Sequence, residues 1–310
     1  QRHAHRDRDM KILPPLDLST LLTSSTASEP GAGETAWSSG ATYALGDVRI
    51  RTGTHRKYEC ILAVSGSTTA PEDDATHWTD VGPTNKWAML DSTRNTATTL
   101  ASPLTVVITP ARRINALALF GLVADEVEIT VNDGSTDIYT ETIDLATRYT
   151  TTWSEYFFGE FVYQESVVLV DLPPVSAPVI TVAITRASGN VQCQTLAVGT
   201  AVEIGDTRMG AETDVLDFSK VTRDEFGSAT LVPRKSVPVA RMTVLLPKDK
   251  VNALRKLRKD NAAKPVVFIG MDDSADGYFD SVSMLGIYKR MTVVIEYPTH
   301  SLCTLELEGL

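Results

Sequence analysis

Apolar positions recur on two rhythms along this chain. Between about residues 90 and 205 they alternate with polar ones or run together in short stretches: TVVITP, INALALFGL, EVEITVND, SVVLVDLP, VITVAITRA and VQCQTLAVG. A period of two puts successive side chains on opposite faces of a strand. The breaks between these runs, NDG, DLPP and SGN, are turn signals. Regular short strands with such turns predict an antiparallel sandwich or jelly roll. Further on the rhythm changes. In LPKDKVNALRKLRKDN, Val251, Leu254 and Leu257 fall at helical spacing on one side, with lysines and arginines around them. The strands PVVFIG, SVSMLGIY, MTVVIEYP and LCTLELEGL follow, which predicts a small α+β unit with one helix laid across a sheet.

Nearer the start the pattern is thinner. KILPPLDLSTLL is apolar with two prolines and suits an extended arm or edge strand. SSTASEPGAGE reads as a linker. From Trp37 to Gly82, short strands such as TYALGDVRIR and KYECILAV alternate with turns, and no cysteine pair staples them. The core of so small a piece must come from its aromatic residues. The expected organisation is therefore mainly β: an arm and linker at 1–35, a small β module at 36–84, a β-sandwich at 85–205, and an α+β docking domain at 206–310 with one main helix.

Charge and cysteine content narrow the function classes. A formal net charge of -10 argues against a nucleic-acid binder, which needs a basic face for phosphates. No run of apolar residues is long enough to span a bilayer, so no membrane insertion is expected. The opening QRHAHRDRD is charged with no apolar region behind it, unlike a secretory signal. Cys60, Cys193 and Cys303 stand far apart and read as buried thiols of a protein folded in a reducing compartment.

The chemistry-bearing signatures are missing. The chain has no G-x-S-x-G elbow, no H-E-x-x-H and no phosphate-cradling glycine loop. His3, His5, His55, His77 and His300 lack metal-ligand spacing, so neither a metal nor another cofactor is expected. The acidic loop from Met271 to Asp280 fails as a calcium loop, because Ser283 stands where a bidentate carboxylate belongs. It reads as a solvated turn. The segment TTTWSEYFFGEFVYQES gathers Trp153, Tyr156, Phe157, Phe158, Phe161 and Tyr163, more rings than one strand face can hide. Some should enter the sandwich core and others a contact with another chain; a stacking surface for sugar is a further reading. The basic helix, including Arg255 and Arg258, reads either as a solvated face or as a seam against an acidic neighbouring subunit.

Two resemblances add to this. Trp37, the run Tyr43-Ala44-Leu45-Gly46-Asp47-Val48, Tyr58, Pro71 and Trp78 together resemble the small chitin- and cellulose-binding modules of carbohydrate-binding families 5 and 12. The resemblance implies sugar stacking on Trp37, Tyr43, Tyr58 and Trp78. The adjacent aromatic pair usual in those modules is absent, since the corresponding stretch is CILAVSGSTTAP. The second resemblance rests on GPTNKWAMLD, ITPARRINALALFGL, WSEYFFGEF and the ending VIEYPTHSLCTLELEGL, which look like minor tail or baseplate proteins of tailed bacteriophages. It implies a non-enzymatic virion protein of the tail tip or baseplate, assembled in the host cytoplasm. Its partners would be other tail proteins and copies of itself in a symmetric ring, with contact to cell-surface polysaccharide through the small module. The alternatives are a free polysaccharide-binding protein and a glycoside hydrolase.

Overall fold

The computed structural model describes residues 9–92, 95–147, 152–158, 162–234, 236–271 and 278–310. The fold is mainly β, with many antiparallel sheets and one main helix. It divides into two compact units, Gln1–Pro15 with Val198–Leu310, and Leu16–Ala197. The first unit is thus assembled from both ends of the chain.

The strands of that unit are β1 (Asp9–Leu13), β2 (Val202–Thr207), β3 (Glu212–Asp217), β4 (Lys220–Arg223), β5 (Ala229–Val232), β6 (Ser236–Pro247), β7 (Val266–Ile269), β8 (Ser283–Val294) and β9 (His300–Gly309). Hydrogen bonding runs in the order β2-β1-β7-β8-β9-β6-β3, and β2 also pairs with β6. Asp206 opposite Leu245 and Thr207 opposite Val244 make that second pairing, which closes six strands into a barrel. Closure removes the open edges that a flat sheet would leave. β3 stays outside on β6, and β4 and β5 form a separate hairpin.

The two-residue rhythm fills the barrel. Along β9, Cys303, Leu305 and Leu307 point inward while Leu302, Thr304, Glu306 and Glu308 alternate with them. Along β6, Ala240, Met242, Val244 and Leu246 do the same. Met10, Ile12, Ile204, Val266 and Phe268 complete the core, and the helix Val251–Asp260 packs Leu254 into it with Val251 and Leu257 beside. The helical spacing read from the sequence is the face that is buried. Gly205 sits at the seam with φ 153°, where an added Cβ would come within 2.2 Å of the Leu245 carbonyl oxygen. Only glycine lets the two strands meet there.

One sequence expectation is overturned at this point. Residues 9–13 form neither an arm nor an edge strand, because β1 pairs with β2 on one side and β7 on the other. Its prolines, Pro14 and Pro15, lie beyond Leu13, where a missing N–H costs the ladder nothing.

In the second unit, a five-stranded sheet runs in the order 137–144, 126–132, 179–185, 104–108, 22–25, and a three-stranded sheet in the order 166–170, 116–120, 195–199. Val127, Ile129 and Val131 alternate inward beside Ile180, Val182 and Ile184, the pattern a sandwich half requires. The small module occupies Trp37 to Pro83, with one sheet of 41–43 and 64–67 and another of 48–51, 56–60 and 78–83. The residues before it are not a free linker. Glu34 accepts hydrogen bonds from the Asn85 amide (2.7 Å) and the Gly31 amide (2.8 Å). Buried Glu29 accepts from the Thr84 hydroxyl (2.8 Å) and the Trp87 indole N–H (3.0 Å), and its Oε2 lies 2.8 Å from His55 Nδ1. The chain therefore leaves and re-enters the body side by side, and polar side chains clamp both strands of the junction.

Candidate functional site

The aromatic residues of the small module build its core. Tyr43, Tyr58 and Trp78 are 3%, 7% and 2% exposed and surround buried Cys60, with Trp37, Ala41 and Val64 packed against them. Tyr43 and Trp78 meet edge to face, with ring centroids 5.0 Å apart. The Tyr43 hydroxyl donates to the Ser38 carbonyl and accepts from the Ser38 amide, both at 2.8 Å, so its polar end is satisfied by backbone. The YALGDV run is a turn with the chemistry a turn needs. Gly46 adopts φ 87°, its amide donates to the Cys60 carbonyl, and the Asp47 carboxylate accepts from the Ala44 amide at 3.0 Å.

Trp37 is half-buried, and one of its faces is covered. The Arg51 guanidinium lies 4.9 Å from its ring centroid while forking onto Glu72 at 2.9 to 3.1 Å. Partial burial works against ionising Glu72, yet the Arg51 hydrogen bonds hold its carboxyl below the ordinary value. Of the four rings that the sugar-binding resemblance singles out, three therefore present no face to water. A polar cleft of about 420 Å³ lies nearby, between Glu34, Thr35, Lys57, Asn85, Thr99 and Asn190, and its lining includes no aromatic ring.

The second aromatic group is placed differently. Trp153–Phe158 is a short helix rather than a strand, in keeping with adjacent aromatic positions that carry no period of two. Trp153 and Phe158 are 79% and 85% exposed, Phe157 and Tyr163 are also exposed, and the Trp153 and Phe157 rings stack at 6.3 Å. The expectation that some of this group enters the core is not met by these four. The Tyr156 side chain and Phe161 lie outside the described residues, as does the acidic loop at 272–277. Among the basic residues of the helix Val251–Asp260, Arg255 is exposed, whereas Arg258 is engaged within its own chain. Its guanidinium donates to the Met291 carbonyl at 3.1 Å and its carbonyl accepts from the Tyr288 hydroxyl at 2.8 Å.

A third surface escaped the sequence reading. Apart from Ser219, all described side chains from Glu212 to Arg234 are exposed. They include Val215, Leu216, Phe218, Val221, Leu231, Val232 and Phe226, the last 92% exposed at the tip. β4 and β5 pair only with each other, Val221 facing Leu231 across the ladder. The tip is a designed turn in which the Asp224 carboxylate accepts from the amides of Phe226 and Ser228, and Gly227 takes φ 81°. The string TRDEFGSAT carried that turn signal. What local sequence could not convey is that neither face of the hairpin would be covered.

Among the described residues no group of three His, Cys, Asp or Glu could hold a metal ion, and no helix is long and apolar enough to cross a membrane. Burial pushes the Cys193 thiol up to about 12 and the Cys303 thiol up to about 11, so neither is poised as a nucleophile. Comparison with known proteins gives no match: no family model, no curated protein and no solved structure matches this chain.

Proposed function

We propose that this chain is a structural, non-catalytic subunit of a phage tail tip or baseplate, whose work is to join neighbouring subunits. The observation that carries the proposal is the segment from Glu212 to Arg234, in which β3 rests on β6 by one edge and the β4–β5 hairpin pairs only with itself, an apolar-studded arm whose side chains are almost all exposed. An isolated two-stranded hairpin is at best marginal in water. Exposed valines, leucines and phenylalanines on such an arm mark a surface that another protein covers.

A polysaccharide-binding role draws no comparable support. Stacking on a sugar needs an open ring face, and Tyr43, Tyr58 and Trp78 spend theirs on the module core. The module is better understood as a retained scaffold whose aromatic residues hold it together.

The test is compositional. Purified particles of the phage encoding this chain should contain it in a fixed copy number. Labelled antibody should place it at one level of the tail in electron micrographs. Its absence from particles that are complete and infectious would overturn the proposal.

A further inference from the structure

Two surfaces of the barrel unit are unsatisfied within one chain, and they match each other. The first is the arm. β3 is hydrogen-bonded to β6 on one side only and ends the strand order, so its other edge is open among the described residues. Its charged side chains are all acidic, Glu212, Asp214 and Asp217, and apolar Val221, Phe226 and Leu231 follow on the hairpin. Their own chain does little to balance those carboxylates: Glu212 reaches Arg241 at 3.8 Å, with both side chains largely in water.

The second surface is the outer face of the helix Val251–Asp260. Arg255, Lys256 and Lys259 are exposed there and enter no ion pair among the described residues. Lys250, by contrast, is paired with Glu203 at 2.5 Å. The helix is tied to β8 through Arg258 and the Met291 carbonyl, and three residues further along begins an exposed apolar shelf of Val294, Ile295 and Tyr297. The charges of β3 are thus acidic, while the hairpin beyond it mixes Lys220, Arg223 and Arg234 with Asp224 and Glu225 among its apolar residues; the charges of Arg255, Lys256 and Lys259 on the helix are basic.

A subunit that carries both halves of a complementary pair on different residues satisfies them with a second copy, either reciprocally across a two-fold axis or head to tail. We propose that β3 and the hairpin of one copy dock on the basic helix and the Val294–Tyr297 shelf of a second copy. This rests on the assembly reading above and names its partner as a second copy of this chain. Opposite charges would fix the register and speed encounter, while the apolar residues would supply the buried area.

A paired charge-swap tests it on the full chain. One variant carries Arg255→Glu, Lys256→Glu and Lys259→Glu; the other carries Glu212→Lys, Asp214→Lys and Asp217→Lys. All six positions are exposed, and circular dichroism with thermal melting confirms that both variants fold. The wild type should form oligomers by native mass spectrometry, weakening in ~0.5 M salt as screening shortens the reach of charge. Each variant alone should be monomeric. An equimolar mixture should regain oligomers that contain both variants, because each contact between unlike variants joins opposite charges. Oligomers that persist in both single variants, or a mixture that stays dissociated, would overturn the proposal while leaving the assembly reading intact. So would a helix variant that keeps its oligomer but loses retention on immobilised heparin, which would assign the helix to a polyanion. A wild type that is monomeric yet present in particles refutes the copy-to-copy contact alone; one that is monomeric and absent from particles refutes both.

Discussion

At the scale of single residues, the same side-chain types serve opposite ends according to what surrounds them. Trp78 and Trp153 are both tryptophans, yet one is 2% exposed and the other 79%. Trp78→Ala should therefore act on stability. Removing a buried aromatic side chain costs ~3–5 kcal/mol, and a module with so few core residues has little to spare. Differential scanning calorimetry should show the module transition lost or shifted well down, whereas Trp153→Ala should leave every transition in place. An unchanged melt for Trp78→Ala would mean that its ring does not hold the module together. The thiols make a second residue-scale prediction. With burial raising Cys193 and Cys303, both remain protonated at neutral and mildly alkaline pH. All three cysteines are free and buried, so native protein should give almost no colour with a thiol-exchange reagent until denaturant is added. Gly205→Ala offers a third. Its Cβ would fall 2.2 Å from a backbone oxygen at a positive φ, and a clash with backbone at a closure seam should cost ~2 kcal/mol or more in the barrel melt.

Elements differ in how much of themselves they invest in the fold. The helix Val251–Asp260 buries Leu254 and leans Val251 and Leu257 on the same core, so its loss would open the barrel. The hairpin 218–234 invests almost nothing. Replacing it by a short Gly/Ser turn should leave the monomer's melting temperature within about 2 °C of wild type, since surface changes away from packed features move stability little. A drop well beyond that would show that the hairpin is covered by its own chain. These two elements also mark what the sequence could and could not disclose. The helix was legible because its three apolar positions recur at the helical period with charge between them. The strands 126–132 and 179–185 were legible through strict alternation. The hairpin's turn has a local signal in Asp224 and Gly227, but its exposure has none, because exposure depends on what lies across from it. The same limit applies to β1 and to the aromatic residues at 37–78. Pairing between residues 9–13 and residues 202–207 or 266–269 leaves no local trace, and an aromatic ring reads alike whether it faces a core or a ligand.

For the molecule as a whole, chain connectivity is nested. The barrel is interrupted between Pro15 and Val198 by the entire second unit, and that unit is interrupted between Glu34 and Asn85 by the small module. At each interruption the two ends of the host lie together. Pro15 bridges Gly199, whose added Cβ would fall 2.6 Å from the Pro14 carbonyl oxygen, so the chain leaves and rejoins the barrel through one tight point. An insertion between adjacent ends adds sequence without straining the host, and the entropy of closing even a long loop grows only slowly with its length. The core cluster of the barrel draws on its own two segments: Met10 and Ile12 from the first, Ile204 through Leu307 from the second. Excising residues 16–197 and joining Pro15 to Val198 through two or three glycines should therefore leave a barrel with its full core. It should show strand-type circular dichroism, one cooperative thermal transition and protected amides in β6 and β9. If the excised chain is instead molten, with no cooperative melt and no slow-exchanging amides, the barrel is not an independent host and the nesting is only a feature of the chain path.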